Sequence, residues 1–375
     1  MQTLEKGNGK WDATHPRYRL LTALKGYLLY QPRSKADLNK WRDAYKRLPR
    51  KQKLVESRVR YSKKLNSVEH LVDKNAQVAH AIVKNGLEFY GVDMQELEDF
   101  VDETKDEPTN DSKTSVLQAM KHFVRDWSDE GLHERQPTFP CILNVIQNMF
   151  PAKLQSETAS PVKVLVPGAG LGRLAHEIAS LGGFEVTANE WSSYMNLAYR
   201  YLLALPSSHS VSLHPFIDWW SHRTTTASLT RSISFPDTLP SLTQPSVLLV
   251  EGDFTSALSS SAGTYDVVVT LFFIDTAKNI LSYLETTYQM LRPGGVWINF
   301  GPLLYGTNPS LQLSLDEVVA LAEGLGFVFE EASAECGDVT VEGLKVRGTE
   351  VPYGSDDESL ARNAYLAQHW VARKE

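Results

Sequence analysis

The stretch Val164–Arg173, VLVPGAGLGR, joins a short apolar run to three alternating glycines. An amphipathic helical pattern follows, and a second apolar run ends at Glu190 in the string TANEWS. This order predicts a βαβ unit that binds a nucleotide, because glycines let backbone approach a ligand and a helix N-terminus attracts electron-rich groups. We interpret Glu190 as an acceptor of hydrogen bonds from ribose hydroxyls, with a helix cap as its alternative role.

The glycines are Gly168, Gly170 and Gly172, which gives the spacing G-x-G-x-G. Dinucleotide enzymes use G-x-G-x-x-G instead. The tighter spacing is more typical of S-adenosylmethionine sites, which have no pyrophosphate to hold. An ordinary strand-to-helix turn is the alternative, and the surrounding βαβ pattern favours the nucleotide site.

The composition is that of a globular protein with an uneven distribution of charge. Of the 375 residues, 42% are hydrophobic and 22% are charged, and the formal net charge is −7. Residues 1–64 nevertheless carry 18 Lys and Arg against five Asp and Glu. A basic segment can bind nucleic acid or a membrane surface. We favour a solvated helical face on an acidic body, without a nucleic-acid partner, because its basic and apolar residues are interleaved at helical spacing.

Cys141 and Cys336 are the two cysteines of the chain, and no C-x-x-C motif accompanies them. We therefore expect neither a disulfide framework nor a structural zinc site, and we assign no metal ligands. Reduced thiols indicate the cytoplasm, with the nucleus as a second compartment. No apolar run reaches the length of about 18 residues that spans a bilayer, so we expect no membrane partner.

Helical periodicity dominates residues 15–100. The repeating apolar residues are Leu20, Leu21, Leu24, Leu28 and Leu29 in one helix and Leu71, Val72, Val78, Ile82 and Val83 in a later one. Residues 102–113 are acidic and contain Pro, Asn and Ser, which predicts an exposed connector. A further helix is expected over 115–135. We expect an N-terminal helical region over 1–120 and a second domain over 121–375.

From Val162 onward strand and helix patterns alternate, which predicts a mostly parallel sheet. The seven expected strands are KVLVPGA, GFEVTANE, SVLLVEGD, YDVVVTLFF, GVWINFG, FVFEEA and YLAQHWVARK. An insertion rich in Ser, Thr and Pro covers about residues 205–245. Seven strands with an antiparallel last strand predict an α/β fold with the Rossmann-like sheet of class I methyltransferases. LRPGG at 291–295 predicts a tight turn before the fifth strand.

Two residues at the end of the third strand are candidates for adenine binding. Asp253 can accept a hydrogen bond from the exocyclic amine, and Phe254 can cover the face of the ring. The alternative for Asp253 is an N-terminal helix cap.

The fourth strand runs into LFFIDTAKNI, where Phe272 and its apolar neighbours would exclude water from a methyl transfer. Asp275 is the one charge at this strand end. We interpret it as the catalytic residue, which orients an acceptor by its N–H group. A helix cap is again the alternative.

Arg125 lies on a helix before the sheet, in the string HFVRDWSDEG. Its guanidinium can donate two parallel hydrogen bonds to the carboxylate of the methionine moiety. From this string alone, a surface ion pair would be the favoured interpretation.

Together, the strings FVRDWS, LVPGAGLGRLAHEIA, NEWS, GDF, FFIDTA, LRPGG and GPLLY resemble the carnosine N-methyltransferase family. The resemblance runs from about Lys121 to Lys374, with a looser helical match before it. It implies S-adenosylmethionine as the methyl donor and a small dipeptide, β-alanyl- or γ-aminobutyryl-histidine, as the acceptor. Methylation of the imidazole would give anserine-type products. A homodimer is left open.

The resemblance also implies roles for single residues. Cofactor contacts fall on His122, Arg125, Gly168, Glu190, Asp253, Phe254 and Phe272, and the glycine pattern adds Gly170 and Gly172. Dipeptide contacts fall on Asp275, Tyr365, Gly306 and Asn363.

Three positions depart from the family pattern: His122 stands in place of Gln, Gly306 of His and Asn363 of Tyr. His122 can still hydrogen-bond the cofactor. At Gly306 one acceptor contact is missing, so the fold and the donor are implied more firmly than the acceptor.

Rival functions stay open. A methyltransferase of another acceptor, such as a protein histidine or a different imidazole, is compatible with Gly306 and Asn363. A non-catalytic cofactor-binding scaffold is less favoured, because the glycines, Glu190 and Asp275 are all intact. An NAD oxidoreductase is least favoured, because the glycine spacing differs and no Tyr-x-x-x-Lys motif is present.

Overall fold

The computed structural model describes residues 15–106, 110–151, 160–240, 247–306, 308–354 and 356–375. The chain divides into two compact units. The first, here called the helical unit, is drawn from 1–130, 193–239 and 356–361, and the second, the sheet unit, from 131–192, 240–355 and 362–375. A contiguous domain boundary at residue 120 stays a prediction.

The described helices are α1 (Pro16–Leu28), α2 (Tyr30–Lys46), α3 (Leu54–Val59), α4 (Tyr61–Tyr90), α5 (Met94–Glu103), α6 (Asn110–Trp127), α7 (Leu132–Arg135), α8 (Phe139–Met149), α9 (Arg173–Ser180), α10 (Ser193–Leu203), α11 (Thr226–Thr230), α12 (Phe254–Ala257), α13 (Ile280–Met290) and α14 (Leu315–Gly324). The described strands are β1 (Val162–Pro167), β2 (Phe184–Glu190), β3 (Val211–Leu213), β4 (Ile233–Phe235), β5 (Val247–Glu251), β6 (Tyr265–Leu271), β7 (Leu291–Gly301), β8 (Phe327–Glu330), β9 (Asp338–Val339), β10 (Arg347–Pro352) and β11 (Ala364–Lys374).

The helical unit confirms the predicted N-terminal helical region. Its buried apolar residues include Leu20, Leu21, Leu24, Val72, Val78, Ile82 and Val83. Basic residues of α1 and α2 pair with acids of α4 and α5. These ion pairs are Arg17–Glu96 at 2.5 Å, Arg42–Glu69 at 2.5 Å and Lys35–Asp73 at 2.6 Å. Part of the basic charge is therefore paired within the unit, as expected for a helical face packed on acidic elements.

The prediction of an exposed connector over 102–113 is wrong at both ends, where the chain is helical. Helix α5 continues through Glu103, and α6 begins at Asn110. Thr104 is buried, and its carbonyl and hydroxyl oxygens accept from the Lys25 ammonium at 2.6 and 2.7 Å. The acidic residues belong largely to helix ends, and positions 107–109 lie outside the described residues. The next helix also ends early, at Trp127, rather than running to 135.

The main sheet lies in the sheet unit, where the described residues form nine strands of it. Their order is β5-β2-β1-β6-β7-β11-β10-β9, and β8 also pairs with β11. Strands β5, β2, β1, β6 and β7 are parallel, and β11 is antiparallel to β7. All seven predicted strands are present, so the predicted α/β fold is confirmed.

Apolar side chains cover both faces of this sheet, as parallel strands require. On one face, Val164 of β1 packs in a cluster with Ile142 of α8 and Ile178 of α9. On the other, Leu165 packs in a cluster with Leu284 of α13. Helices on both faces leave the ends of the strands as the place where polar side chains can gather.

Some local structure differs from the sequence-based expectation. The insertion contains a hairpin of β3 and β4, and its residues 241–245 lie outside the described part. LRPGG belongs to an irregular start of β7 rather than a tight turn. Pairing with β6 passes from Tyr265↔Leu291 to Val267↔Val296, and Gly294 between them has a φ of +74°. Among the described residues, no helix has the length and apolar character needed to cross a membrane.

Cys141 and Cys336 form a disulfide, which corrects the expectation of two reduced thiols. Cys141 is in the first turn of α8, and Cys336 ends a short 3-10 turn. Although 195 residues separate them, both belong to the core cluster on one face of the sheet, where their Cα atoms are 5.3 Å apart. Sequence spacing carries no sign of such a pairing. The cytoplasm and the nucleus were inferred from free thiols, so that inference no longer has support.

Replacing both cysteines with alanine should lower the free energy of unfolding of the oxidised protein by about 2–4 kcal/mol, because the bond restricts the unfolded chain. Guanidinium denaturation in the presence of a chelator measures the difference. Reduced wild type serves as the control for lost side-chain packing. A double variant as stable as the oxidised wild type would contradict the disulfide.

Candidate functional site

The glycine loop joins β1 to α9 in a conformation that requires glycine. Gly168, Gly170 and Gly172 have φ values of +63°, +56° and +74°. A Cβ atom at Gly168 would collide with the ring of Phe273. Gly172 is the N-cap of α9. Bare backbone therefore lies at the carboxyl end of β1, beside a helix N-terminus, as the predicted nucleotide site needs.

Glu190 ends β2 and is hydrogen-bonded to this loop. One carboxylate oxygen accepts from the Gly170 N–H at 2.9 Å, and the other accepts from the Ser192 N–H at 2.7 Å. Burial raises the pKa of Glu190, and these hydrogen bonds oppose the rise. A carboxylate can accept further hydrogen bonds, so the geometry is compatible with ribose binding. The ribose contact itself stays a prediction.

Asp253 and Phe254 follow β5, as predicted, but both already have partners within the protein. Asp253 caps α12: its Oδ1 accepts from the backbone N–H of Thr255 at 2.8 Å and from the Thr255 hydroxyl at 2.6 Å. Phe254 is buried, edge-on to Phe273 at 5.4 Å and to Tyr283 at 5.6 Å. The cap is the alternative that the sequence left open, and the adenine contacts stay predictions.

Asp275 lies just beyond β6 and is 5% exposed. Its Oδ2 accepts from the backbone N–H of Leu304, beyond the end of β7, at 2.8 Å. The cap of the following helix α13 is Asn279, whose side chain accepts from the Leu281 N–H. The helix-cap alternative for Asp275 therefore fails. Burial raises the pKa of this carboxyl to about 6, against the opposing hydrogen bond from Leu304.

Three aromatic rings, here called the aromatic trio, lie together at these strand ends: Phe272, Tyr353 and Tyr365. The rings of Phe272 and Tyr353 stack at 5.0 Å, and Tyr365 is edge-on to them at 6.2 and 5.5 Å. Faces of aromatic rings attract cations. Tyr353 was not predicted from the sequence. Its one signal is its position directly after β10, and β10 was not predicted either.

Gly306 and Asn363 are both exposed. A Cβ atom at Gly306 would meet nothing within 4 Å, so there is space for a side chain at this position. The carbonyl of Asn363 accepts from the Tyr353 N–H at 3.1 Å, which links this residue to the aromatic trio. Contacts of either residue with an acceptor stay predictions.

His122 and Arg125 lie on α6 in the helical unit, where they surround Asp126. Arg125 Nε donates to Asp126 at 2.7 Å, and Arg125 Nη2 lies 2.9 Å from His122 Nδ1. Burial would raise the pKa of Asp126, but Arg125 and His122 hold it well below its usual range. Burial and Arg125 lower the pKa of His122. Arg125 thus forms an ion pair, but with a buried aspartate rather than at the surface as the alternative had it, and its cofactor contact stays a prediction.

Comparison with known proteins identifies a family over most of the chain. The family model described as carnosine N-methyltransferase matches residues 102–375. A carnosine N-methyltransferase of Schizosaccharomyces pombe is 29% identical, over 94% of this chain and 95% of that protein. The Rattus norvegicus protein of the same name is 36% identical over 68% of this chain and 62% of its own length. The chain thus spans nearly all of the yeast relative but under two thirds of the rat one.

The buried charge at Asp275 should cost stability, so Asp275→Asn should raise the free energy of unfolding at pH 7 by about 1–3 kcal/mol. The pKa of Asp275 is about 6 in the folded protein, against about 3.9 in an unfolded chain. The folded state therefore binds the proton more tightly. Wild-type stability relative to the variant should rise as the pH falls from about 7 to 4.

Urea denaturation across this pH range measures the difference between the two proteins. Asp102→Asn, at an exposed position on α5, is the matched control for removal of one negative charge. An Asp275→Asn protein that is less stable than wild type at pH 7 would show that the carboxylate is not a net cost.

Proposed function

Because the chain belongs to the carnosine N-methyltransferase family, we propose that it transfers the methyl group of S-adenosylmethionine to an imidazole nitrogen of carnosine or a related histidine-containing dipeptide. The observation that carries the proposal is the buried carboxylate of Asp275 at the carboxyl end of β6. Ligands of open α/β sheets bind outside the carboxyl ends of the strands, near the point where the strand order reverses.

The donor would bind at the glycine loop. Gly168 is exposed and has no Cβ atom, so its backbone is accessible there, and Glu190 ends the neighbouring strand. Glu190 would accept hydrogen bonds from the ribose hydroxyls. The donor supplies a methyl group on a positively charged sulfur, which is transferred in one displacement.

The acceptor nucleophile is a neutral imidazole. Its ordinary pKa of about 6.5 leaves roughly three quarters of it unprotonated at pH 7. Asp275 would accept the N–H of one ring nitrogen and so turn the lone pair of the other toward the methyl group. A nitrogen–carbon bond forms while the carbon–sulfur bond breaks, and its electron pair stays on sulfur. Alignment of these three atoms can supply several kcal/mol of the barrier.

The ring becomes positively charged during the transfer, and Asp275 lies where it can stabilise that charge. With a pKa of about 6, its carboxyl is mostly ionised at pH 7. As the proton leaves the ring nitrogen that is not methylated, the one whose N–H Asp275 accepts, Asp275 can take it up and later release it to bulk solvent. The aromatic trio adds electron-rich ring faces beside this strand end.

A second candidate is methylation of a histidine in a larger acceptor. It rests on Gly306 and Asn363, which are exposed and carry smaller side chains than the family pattern. Labelled S-adenosylmethionine offered with imidazole dipeptides, free histidine and cell extract separates the two. Label in the dipeptides supports the proposal, whereas label confined to proteins of the extract supports the second candidate. A protein that binds the donor but labels nothing would be a scaffold.

Glu190→Ala should weaken S-adenosylmethionine binding by roughly 1–3 kcal/mol, because two ribose hydrogen bonds are lost. Titration calorimetry measures the affinity, and circular dichroism checks the fold. Arg173→Ala is a nearby control. It removes an arginine in the first turn of α9 that is ion-paired with Glu177. Unchanged affinity in folded Glu190→Ala would exclude Glu190 from the site.

Asp275→Asn should leave donor binding nearly unchanged and slow methyl transfer by about two orders of magnitude or more, since loss of one such charge costs ~2.7–4 kcal/mol. Asparagine keeps the size and the acceptor oxygen for Leu304. It can also donate, and so hold the ring by the wrong nitrogen. Single-turnover kinetics with a β-alanyl-histidine acceptor, followed by assignment of the methylated nitrogen, decides the matter. A variant with wild-type rate and product would remove Asp275 from the reaction.

A further inference from the structure

Three side chains of residue types that bind metals converge in the core of the sheet unit, outside the site described above. They are Cys141, Cys336 and His369, and all three are buried. The two sulfur atoms and a ring nitrogen of His369 lie within 4.8 Å of one another. No sequence pattern indicates this cluster, because its members come from α8, a 3-10 turn and β11.

His369 is 0% exposed, and its two ring nitrogens differ. Nδ1 lies 2.9 Å from the carbonyl oxygen of Asn299, to which it can only donate. Nε2 is buried and has no hydrogen-bond partner among the described residues. Burial lowers the pKa of His369 to about 4, so the ring is neutral at pH 7. A buried lone pair without a hydrogen-bond or metal partner, such as that of Nε2, lowers the stability of the folded protein.

This arrangement is that of a metal-binding histidine. Such residues usually donate one ring N–H to a carbonyl or carboxylate, which fixes the tautomer that leaves the other nitrogen free to coordinate. Two cysteine sulfurs and one imidazole form a donor set suited to Zn²⁺. Two thiolates, one Zn²⁺ and a neutral imidazole sum to zero charge, which an apolar core accommodates better than a net charge.

The turn that carries Cys336 is held by hydrogen bonds that do not depend on the disulfide. Arg347 donates to the carbonyls of Ala332 at 2.8 Å and Gly337 at 3.0 Å. The Thr349 hydroxyl donates to the Cys336 carbonyl at 3.0 Å. Cleavage of the disulfide would therefore leave the ligand groups close together.

We propose that Cys141, Cys336 and His369 bind one Zn²⁺ ion when the disulfide between the two cysteines is reduced. A dithiol supplies two electrons and two protons and becomes a disulfide, or a phosphine supplies the electrons and takes the oxygen of one water, whose two protons go to the sulfurs. The two sulfurs become thiols. Binding of Zn²⁺ then releases two protons and forms two zinc–sulfur bonds and one zinc–nitrogen bond. Zinc sites with three protein ligands keep a fourth position for water.

Cys141 lies in the first turn of α8, an 11-residue helix. In the oxidised form neither sulfur can donate to Nε2. Thiols can donate hydrogen bonds and thiolates can bind a metal, whereas a disulfide does neither, so the cluster has two states set by redox conditions.

The test uses the full chain, either oxidised or reduced with a phosphine under argon. Zinc binding is followed by competition with a chromophoric chelator, and the circular dichroism of each protein is recorded. We expect one Zn²⁺ per reduced chain and none per oxidised chain. Cys141→Ser should abolish this binding, and His369→Gln should weaken it by at least about tenfold. His176→Gln, a buried histidine of α9, is the matched control and should bind zinc as wild type does.

X-ray absorption of the reduced wild-type complex needs no variant, and it should show two sulfur ligands and one imidazole nitrogen. Absence of stoichiometric zinc from the reduced wild type would overturn the proposal. Wild-type affinity in folded His369→Gln, or a coordination shell without sulfur, would do so too. None of these measurements depends on methyl transfer, so the zinc site and the proposed function can fail separately.

Discussion

The parallel pairing of β1 with a neighbour on each side is the constraint on which the site depends. β1 pairs with β2 from Val162↔Phe184 to Pro167↔Asn189, and with β6 at Val164↔Val267. Parallel strands end at the same edge of a sheet, so the loops that follow β1, β2 and β6 start side by side. The chain order reverses at β1, where such sheets open a crevice for ligands.

Within this crevice, the proposed chemistry depends on a carboxylate kept away from water. Apolar neighbours bury Asp275, and one backbone N–H of Leu304 holds it in place. Both the raised pKa and the expected loss of stability come from this burial. A charge that costs folding energy can still serve a reaction, and stabilisation of a developing imidazolium would be such a use.

The sequence was sufficient for features that arise from local pattern. Apolar runs identified seven of the nine strands that the described residues form in the main sheet, and the glycines stand where positive φ requires them. The sequence could not decide between two uses of one residue type, because the same aspartate suits a helix cap and a ligand contact. The structure assigns a cap to Asp253 and excludes one for Asp275.

Features that arise from distant parts of the chain were missed for a physical reason. The Cys141–Cys336 disulfide, the position of His369 beside it and the stacking of Tyr353 on Phe272 depend on how β10 and β11 return to the sheet. No local spacing encodes those contacts. The acceptor is therefore the part of the function that the sequence predicts least well, because Tyr353 and Asn363 lie between β10 and β11 and Tyr365 lies at the start of β11.

The most direct test of the central claim is the pKa of Asp275, measured by a carbon-13 titration of the aspartate carboxyl groups. Comparison with Asp275→Asn assigns the signal. We expect a midpoint at about 6 in the protein without acceptor. A midpoint at about 3.9, the value of an aspartate in water, would show that the carboxyl is solvated and would contradict the account.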